Sequence, residues 1–409
     1  EKGEAHQIEL QQKAETLKGE ISRKNASIVF NDKQIQDNLK TVENTKNGIE
    51  TQKDSIERIT NTLIRLQHLK AAIIILNWNG RKMLEKFLPS VTQYTTGDYH
   101  VIVADNGSTD DSIEFLKAHY PQVRLIQMDK NYGFAEGYNR AIAQIQDEYD
   151  YFCLLNDDVE VTNGWIEPVL SAMEQDPTIA IAQPKLLMYD QKDTFEYAGG
   201  AGGFIDKNGY PFCRGRLFNT LENDHGQYDD PCEVFWASGA AMFVKAQVWK
   251  ELNGLDGDFF AHMEEIDFCW RAKNSGYKAI YCPQSVVYHV GGGTLPKSSP
   301  HKTYLNFRNN LALLYKNLPD EDLTKVMRLR KILDIVAALK FLAAGNKKEF
   351  DAVFKARKDF KSWKAELKDV RHQLHPHKVS CIYHRPLLLE YYLSGKKRFS
   401  DLKAKSFSR

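Results

Sequence analysis

Carboxylate and amide side chains follow two predicted strands of this chain, where their chemistry could serve a polar ligand. Asn77 and Asn79 end the first strand, and Asp105 ends the second and opens the run Asp-Asn-Gly-Ser-Thr-Asp. Such a carboxylate can accept hydrogen bonds from a base or a ribose, while the glycine lets the ligand approach the backbone. Alternatively, the run is a turn in which Ser108 or Thr109 caps the next helix.

A second acidic feature is the pair Asp157 and Asp158, which follows the apolar run of residues 151–155. Adjacent carboxylates at a strand end repel each other unless a cation compensates their charge. A diphosphate held through Mg²⁺ or Mn²⁺ by oxygen ligands is the usual arrangement. Two solvated acids in a surface turn are the alternative.

These side chains need a scaffold that brings strand ends together. Between residues 70 and 252, runs rich in β-branched residues alternate with segments of helical periodicity. This alternation predicts a parallel sheet covered on both faces, in which ligands bind outside the carboxyl ends of the strands. The predicted strands are 71–77, 101–105, 123–127, 151–155 and 240–245, the predicted helices are 81–94, 110–119, 133–146 and 246–252, and residues 198–231 are predicted as loops and hairpins.

Four segments, in this order, resemble the family 2 glycosyltransferases of the GT-A fold, in their bacterial rhamnosyltransferase-like branch. They are residues 105–110, residues 130–139 with the sequence Lys-Asn-Tyr-Gly-Phe-Ala-Glu-Gly-Tyr-Asn, residues 156–158 and residues 264–271. The resemblance extends over residues 70–319 and implies an α/β fold with a Rossmann-like nucleotide-sugar-binding sheet. It also implies an inverting transfer of a sugar from a nucleotide-diphosphate donor.

The resemblance assigns donor and metal roles to single residues. Asp105 is expected to contact the pyrimidine base, and Asp157 is expected to lie near the ribose or the sugar. The family's acidic motif often reads Asp-x-Asp, and because Asn156 stands in its first position here, Asp158 is the expected ligand of Mg²⁺ or Mn²⁺. His289 precedes a glycine-rich loop expected to close over the donor, and it completes the metal shell, touches the diphosphate or is structural. The other expected donor-binding residues are Asn77, Asn79, Asn131, Gly133 and Asn139.

The same resemblance places the catalytic base in the pair Glu264 and Glu265. An inverting transfer needs a base within hydrogen-bond reach of the acceptor hydroxyl, and Glu265 stands where the family has its base. Glu264 remains the alternative base, and both glutamates could simply favour a helix N-terminus through its dipole. Trp270 is expected to be either a sugar platform or a core residue. The acceptor wall is expected to comprise Trp236, Ser238, Gly239 and Trp270.

Together these features predict an inverting, metal-dependent glycosyltransferase of cell-surface polysaccharide synthesis. The branch favours dTDP-L-rhamnose as the donor, followed by UDP-sugars, and a glycan or a polyprenyl-diphosphate-linked acceptor. A sugar-phosphate nucleotidyltransferase is one alternative, although residues 75–80 lack the Gly-rich loop with a basic residue that it needs. The other alternative is a coiled-coil scaffold protein with a catalytically inactive carbohydrate-binding domain, against which the retained Asp158, Glu264 and Glu265 argue.

A coiled-coil pattern occupies residues 1–69. Apolar residues recur every seven positions and form the seam of the predicted coil. In the middle of the segment, the positions three residues after each seam residue are polar. Polar layers combined with an isoleucine-rich seam favour a homotrimer over a dimer. A single solvated helix is the alternative, and because residue 1 is Glu rather than Met, this segment could be an engineered fusion. The seam residues are Ala14, Ile21, Ile28, Ile35, Val42, Ile49, Ile56 and Leu63.

Charge is balanced over the whole 409-residue chain but uneven along it. The chain has 55 Lys and Arg against 54 Asp and Glu, so no nucleic-acid partner is expected. Residues 320–409, predicted as a basic helical tail, carry 22 Lys and Arg against 11 Asp and Glu. An apolar stripe within residues 326–343 could bind an anionic membrane surface or pack on the catalytic domain.

Cysteine usage and hydropathy indicate the compartment. Six widely spaced cysteines without a metal-binding pattern indicate reduced thiols. Neither a membrane-spanning run nor a signal peptide is recognised, so a cytoplasmic protein, peripheral at the inner face of the cell membrane, is expected. The predicted division is a coiled coil at 1–69, a GT-A domain at 70–319 and the tail at 320–409.

Overall fold

A computed structural model describes residues 2–66, 69–291 and 299–408. It divides the chain into two compact units, Glu1–Arg65 and Leu66–Arg409. Within the described residues, no helix is long and apolar enough to cross a membrane. The predicted loop after His289 falls largely on residues 292–298, which lie outside the described residues.

The first unit is one continuous helix, α1 (Lys2–Leu66), of 65 residues. Its predicted seam is exposed in the single chain, where Ile21, Ile28 and Ile35 have 57%, 57% and 54% of their surface free. A strip of exposed isoleucines on a long helix is what a coiled coil would bury. The helix itself is confirmed, whereas its assembly with further copies stays a prediction. The side chain of Leu63 lies outside the described residues.

The second unit is built on two sheets. A nine-stranded sheet runs in the order β11-β13-β6-β12-β4-β1-β2-β3, with β5 beside β13, and a five-stranded sheet runs in the order β10-β9-β8-β7-β14 in the part of the chain described. The strands are β1 (Ala71–Asn77), β2 (Tyr99–Asp105), β3 (Arg124–Gln127), β4 (Tyr151–Leu155), β5 (Val159–Val161), β6 (Ile179–Met188), β7 (Gly203–Asp206), β8 (Pro211–Cys213), β9 (Arg216–Leu217), β10 (Thr220–Leu221), β11 (Cys232–Val234), β12 (Ala241–Lys245), β13 (Lys278–His289) and β14 (Ile382–Tyr383).

Helices cover this larger sheet and extend beyond it toward the C-terminus. After α1 they are α2 (Arg81–Tyr94), α3 (Ser112–His119), α4 (Gly133–Ala143), α5 (Glu167–Gln175), α6 (Ala246–Glu251), α7 (Glu264–Asn274), α8 (Pro300–Asn317), α9 (Asp320–Ala343), α10 (Lys347–Leu374) and α11 (Leu387–Tyr392).

The strand β1 shows why the sequence forms a doubly covered sheet. It pairs parallel with β2 and with β4, so it lies inside the sheet. Its side chains alternate between two hydrophobic clusters, with Ile73 packed in the cluster that holds Leu84 of α2 and Ile74 in the cluster that holds Tyr138 of α4. A strand buried on both faces must be apolar throughout, which explains its run of isoleucines. The predicted α/β class, with a long N-terminal helix and C-terminal helices, is confirmed.

The C-terminal residues depart from the helical pattern after Leu374. Residues 382–383 form β14, which pairs parallel with β7 through Ile382 and Ile205. Phe407 packs against Phe204, with ring centres 5.3 Å apart. Burial of these aromatic side chains, rather than helix propensity, decides the structure of this segment. The sequence interpretation did not foresee that the end of the chain completes the second sheet.

Candidate active site

The ends of β1 and β2 bring Asn77 and Asp105 together, as the parallel register requires. Asn77 donates its side-chain amide to Asp105 Oδ1 at 2.9 Å and to Ser108 Oγ at 3.0 Å. Asp105 Oδ2 accepts the backbone N–H of Ser108 at 3.0 Å. Both residues are buried, yet Asn77 Oδ1 has no hydrogen-bond partner in the part of the chain described. This convergence was predicted from the strand ends.

Asn79 ties the two loops that follow these strands. Its backbone has a positive φ of 53°, and its Oδ1 accepts the N–H of Thr109 at 2.7 Å and that of Asp110 at 3.3 Å. The helix cap expected from Ser108 or Thr109 is absent, because α3 begins later, at Ser112. Asn79 therefore holds the loop after β1 against the loop after β2, a role that the resemblance did not imply.

A network of side-chain amides orders the loop before α4. Asn106 donates to Asn131 Oδ1 at 3.1 Å and to the carbonyl of Gly133 at 2.9 Å, and Asn131 Oδ1 also accepts the N–H of Gly133 at 2.7 Å. Gly133 has φ 81°, and a Cβ there would lie 2.5 Å from the ring of Phe260. Only glycine fits this position. The expected donor residues Asn131 and Gly133 thus adjoin Asp105 through Asn106.

Asn139 lies further along α4 and points elsewhere. Its Nδ2 donates to the carbonyl of Leu255 at 2.8 Å, while its Oδ1 accepts the Leu255 N–H at 2.9 Å. Both ends of the amide are therefore engaged in holding the loop after α6 against α4. The expected donor-binding role of Asn139 is not supported, because the amide is committed to this structural contact.

The acidic pair at the end of β4 has two distinct environments. Asp158 is buried, its Oδ1 lies 3.0 Å from Nε2 of His289, and its Oδ2 accepts the N–H of Gly291 at 3.2 Å. The antiparallel pairing of β5 with β13 sets His289 opposite Val159 and so fixes this contact. Burial opposes ionisation of Asp158, but contact with His289 outweighs it and lowers the pKa of Asp158.

Asp157, by contrast, has a raised pKa of about 7, because it is buried and lies beside the charge of Asp158. A Cβ placed on Gly80 would lie 2.4 Å from Asp157 Oδ2 and 2.5 Å from Asn77 Oδ1. The two oxygens therefore face the same small space above the end of β1. Acceptors placed in this way can bind hydroxyl groups of a ribose or a sugar.

His289 lies between two carboxylates. Its Nε2 contacts Asp158, and its Nδ1 lies 3.4 Å from Oε1 of Glu196 without a hydrogen-bond geometry. Burial would lower the pKa of His289, but the charges of Glu196 and Asp158 raise it to about 10. Glu196 is 3% exposed and was missed by the sequence interpretation, because it lies in a stretch whose pairing is not visible in the sequence.

The residues expected to bind a metal ion, Asp158 and His289, are together. Asp158 Oδ1 and His289 Nδ1 are buried without hydrogen-bond partners among the described residues. Carboxylate oxygen and imidazole nitrogen suit Mn²⁺ or Mg²⁺. The described residues contain no group of three or more side chains arranged around a common metal position. An ion held here would have to displace the proton that His289 shares with Asp158 and Glu196, and it would take its remaining ligands from a diphosphate and water.

The glutamate pair begins α7. Burial and the charge of Glu265 raise the pKa of Glu264 well above its ordinary value, and burial raises the pKa of Glu265 to about 7. Each carboxyl has one oxygen without a hydrogen-bond partner in the described residues. Glu264 is 4% exposed and Glu265 is more accessible. Glu265 is thus the better placed of the two to take a proton from a ligand.

The turn at Ser238 and Gly239 links Glu265 to the acidic strand end. The Glu265 Cβ lies 3.9 Å from the position of a Cβ on Gly239. The N–H of Asn156 donates to the carbonyl of Ala240 at 3.0 Å, which ties this turn to the end of β4. Ser238 is buried, its N–H donates to Gln183, and its hydroxyl accepts from Ala240. Gly239 therefore adjoins Glu265, whereas Ser238 holds the turn.

The two tryptophans expected in the acceptor wall are core residues. Trp236 is 3% exposed and donates its indole N–H to the carbonyl of Phe204 at 3.0 Å. Trp270 is 1% exposed and packs edge-on against Phe235, with ring centres 5.1 Å apart. The acceptor role of Trp236 and Trp270 is therefore wrong, and the alternative of a core position for Trp270 is confirmed.

Exposed aromatic rings occur elsewhere near the site. Trp78, between Asn77 and Asn79, is 44% exposed, and Tyr197, next to Glu196, is 52% exposed. The guanidinium of Arg216 lies 4.3 Å from the centre of the Tyr197 ring. Such rings can stack on a base or a sugar. No period or motif in the sequence separates these rings from the buried ones.

A loop before α7 positions the glutamates through strained backbone. Phe260, His262 and Met263 have positive φ angles of 65°, 70° and 74°. Asn309 of α8 donates to the carbonyls of Phe259, Ala261 and His262 at 2.8–2.9 Å. Left-handed conformations at residues other than glycine persist only when their surroundings hold them. Asn309 is therefore a positioning residue for the glutamate pair.

Comparison with known proteins shows what this chain is similar to. Residues 72–232 match the family model described as "Glycosyl transferase family 2". The chain is 26% identical over 231 residues to the N-acetylglucosaminyl-diphospho-decaprenol L-rhamnosyltransferase of Mycobacterium tuberculosis, covering 53% of this chain and 75% of that protein. It is 25% identical over 224 residues to the rhamnosyltransferase WbbL of Escherichia coli K12, covering 53% and 82%.

Among solved structures, one similar chain is residues 1–349 of TarS from S. aureus in complex with UDP-GlcNAc. The identity is 13%, the match covers 75% of this chain and 86% of that chain, and the TM-score is 0.49.

Proposed function

We propose that this chain, whose residues 72–232 match the model of glycosyl transferase family 2, is an inverting glycosyltransferase that transfers L-rhamnose from dTDP-L-rhamnose. The acceptor is a hydroxyl of a glycan or of a polyprenyl-diphosphate-linked sugar. The observation that carries this proposal is that Asp105, Asp158 and Glu265 converge at one edge of the sheet. They are connected by contacts among the loops that follow β1, β2 and β4 and the turn before β12.

Donor binding follows from the polar groups at the strand ends. Asp105, oriented by Asn77 and the backbone of Ser108, accepts hydrogen bonds from the base. Asp157 and the unpartnered oxygen of Asn77 accept hydrogen bonds from hydroxyl groups of the ribose or the sugar. Asp158 and His289, with His289 deprotonated, would hold Mg²⁺ or Mn²⁺. When bound, the ion stabilises negative charge on the leaving diphosphate.

Glu265 is the proposed base. Its pKa of about 7 lets it ionise near neutral pH and accept a proton from the acceptor hydroxyl as that oxygen attacks the sugar. Glu264, whose pKa is raised well above its ordinary value, stays protonated beside it. One neutral carboxyl next to one ionised carboxyl avoids two buried like charges.

The names of two relatives support the choice of donor and acceptor. Both are called rhamnosyltransferases, and the name of the mycobacterial protein specifies a diphospho-decaprenol-linked acceptor. A lipid-linked acceptor would place the reaction at the inner face of the cell membrane, in cell-surface polysaccharide synthesis. UDP-sugars are the next donors to examine, since donor specificity is not contained in the acidic motifs.

A donor panel tests the proposal. The full chain is incubated with dTDP-L-rhamnose or UDP-sugars, with and without Mn²⁺, and the released nucleotide is identified. We expect Mn²⁺-dependent release of dTDP, lost in Asp158→Asn. Formation of dTTP from dTDP-L-rhamnose and added pyrophosphate would indicate the nucleotidyltransferase alternative. Donor binding without turnover on any acceptor would favour the inactive scaffold instead.

The division of the chain belongs to the same proposal. Residues 1–69 assemble the protein as a homo-oligomer, with a trimer as the favoured state, residues 70–319 carry the catalytic site, and residues 320–409 extend it. The exposed isoleucine seam of α1 supports the first part of this division. Contacts of β14 and Phe407 with the second sheet indicate that the tail folds with the catalytic domain.

A further inference from the structure

Helix α9 exposes an apolar face and buries a charged one. Leu329, Ile332, Val336 and Leu339 follow each other at helical spacing and have 37%, 61%, 58% and 54% of their surface free. The opposite face buries Val326, Arg330, Asp334 and Ala338. Amphipathic helices of globular proteins ordinarily turn their apolar face toward the core. Helix α9 therefore has the opposite orientation, because most of the apolar stripe recognised in its sequence faces outward. Val326 is the exception, since it packs inward.

Buried ion pairs hold α9 in this orientation. Asp334 contacts Arg330 at 3.2 Å and also pairs with Arg357 of α10. The Arg330 guanidinium lies 4.3 Å from the centre of the Tyr210 ring. Rotating the helix to bury its apolar face would expose Tyr210 and separate these charges. These contacts therefore keep the apolar face of α9 turned outward.

A second apolar element adjoins the first. On and after α11, Leu389, Tyr392 and Leu393 have 53%, 54% and 79% of their surface free. The ammonium of Lys340, on α9, lies 5.7 Å from the centre of the Tyr392 ring, so the two elements are neighbours. We call the exposed apolar residues of both elements the α9–α11 surface. It comprises Leu329, Ile332, Val336, Leu339, Leu389, Tyr392 and Leu393.

The exposed charges of residues 324–348, which include the exposed apolar side chains of α9, are all basic. Between residues 324 and 348 the only acid is Asp334, and it is buried. Of the exposed cations in this segment, Lys347 pairs with Asp351, and the others form no ion pair within the described residues. The exposed cations are Lys325, Arg328, Lys331, Lys340, Lys347 and Lys348.

We propose that the α9–α11 surface docks on the surface of an anionic lipid bilayer, with its apolar side chains inserted among the headgroups. Cations flanking an apolar stripe are complementary to an anionic leaflet. A second copy of the chain would instead bring its own cations against these, and like charges repel. In this arrangement helix α9 lies along the interface, with its apolar face toward the lipid. The inference goes beyond sugar transfer and does not depend on the donor.

Flotation of the full chain with vesicles tests the proposal. One set is phosphatidylcholine alone, and the other is phosphatidylcholine with phosphatidylglycerol as the minor component. We expect binding to the anionic set only, weakening with added salt as screening increases. The double variant Ile332→Ser, Val336→Ser should bind at least about tenfold more weakly, because both side chains lose their apolar insertion. Removal of single cations, as in Lys331→Gln, should weaken binding by about fivefold.

Val370→Ser is the matched control, since Val370 lies on α10 and is 37% exposed. It should bind vesicles like the parent. Equal binding to both vesicle sets, or binding unchanged in the double variant, would overturn the proposal. So would a lower molar mass of the double variant by light scattering without lipid, because the surface would then be covered by a second copy. None of these readouts requires sugar transfer, so their failure is distinct from failure of the proposed activity.

Discussion

Two neighbouring carboxyl groups at the start of α7 differ in what they can do. Glu264 is almost fully buried, whereas Glu265 is partly accessible and adjoins Gly239. Replacing Glu265 by Gln keeps the shape of the side chain and removes the proposed base. We expect Glu265→Gln to reduce kcat by about 10²–10⁴-fold, with donor affinity retained. Steady-state kinetics and donor calorimetry measure both.

Glu264→Gln is the matched control, because it removes the neighbouring carboxyl from the same turn of helix. It should retain most of the activity, since burial and the charge of Glu265 raise the pKa of Glu264 and favour its neutral form. If Glu264→Gln is the inactive variant and Glu265→Gln is not, the roles of the two residues are exchanged.

The raised pKa of Glu265 also predicts a dependence of stability on pH. The folded protein holds a proton on Glu265 up to about pH 7, while the unfolded carboxyl loses it near its ordinary value of 4.5. Folding stability from this group is therefore fully present below pH 4.5 and is lost as the pH rises through about 7. The Tm advantage of Glu265→Gln over the parent should accordingly grow between pH 5 and pH 8. An advantage that stays constant over this range contradicts the raised pKa of Glu265.

Asp158 serves both the proposed metal site and the fold. Asp158→Asn should abolish the dependence of donor affinity on Mn²⁺, which calorimetry with and without the ion measures. Because the buried His289 loses a charged partner, we also expect a loss of about 1–3 kcal/mol in the free energy of unfolding. Unchanged Mn²⁺ dependence in a folded variant would remove Asp158 from the metal site.

At the scale of elements, strand ends were predictable and the second sheet was not. Asn77, Asp105 and Asp158 could be placed together because parallel strands share one carboxyl edge, whatever the details of packing. Glu196 and Tyr197 precede hairpins whose partner β14 is more than 170 residues away in the chain, so no local pattern reveals their position. Side-chain type alone also could not separate the buried Trp236 from an acceptor wall.

Asn139 shows that a sequence motif alone does not assign a binding role to a residue. It stands in a segment that resembles a donor-binding motif, yet its amide is engaged by Leu255, which is distant in the sequence. A motif fixes which residues occur near a site, whereas long-range hydrogen bonds decide which of them remain available to a ligand. Assigning roles to single residues therefore needed the structure.

The loop that precedes α7 supplies a prediction at this scale. Asn309→Ala removes three hydrogen bonds to backbone with positive φ angles. We expect a loss of about 1–3 kcal/mol in the free energy of unfolding, since buried carbonyls lose their donor. We also expect kcat to fall at temperatures where the variant is folded, because the glutamates lose their fixed position.

Asn310→Ala is the matched control for this loop. Asn310 is also buried on α8, but it donates to the carbonyl of Gly209, before β8. Its loss should reduce stability without a change in kcat. Equal effects of both variants on kcat would show that Asn309 is merely structural.

The whole molecule raises the question of how many copies work together. In α1, Ile28 and Val29 are neighbours, both apolar and both exposed, at 57% and 70%, but only Ile28 lies on the predicted seam. A charge buried in a coiled-coil seam destabilises the assembly, while the same charge beside the seam stays solvated. Ile28→Lys should therefore lower the molar mass toward the 46.9 kDa of one chain, and Val29→Lys should not.

Light scattering of the full chain and both variants measures this difference. If the parent already has the mass of one chain, α1 is a single solvated helix and the oligomer is excluded. If Ile28→Lys and Val29→Lys lower the mass equally, the interface follows another stripe of the helix. If only Ile28→Lys acts, and sugar transfer per chain is unchanged, the seam sets the number of copies and each catalytic domain works on its own. Transfer by Ile28→Lys could instead be slower on lipid-linked acceptors but unchanged on soluble ones. That result would mean that several α9–α11 surfaces of one oligomer bind the membrane together, because linked weak sites bind far more tightly than one.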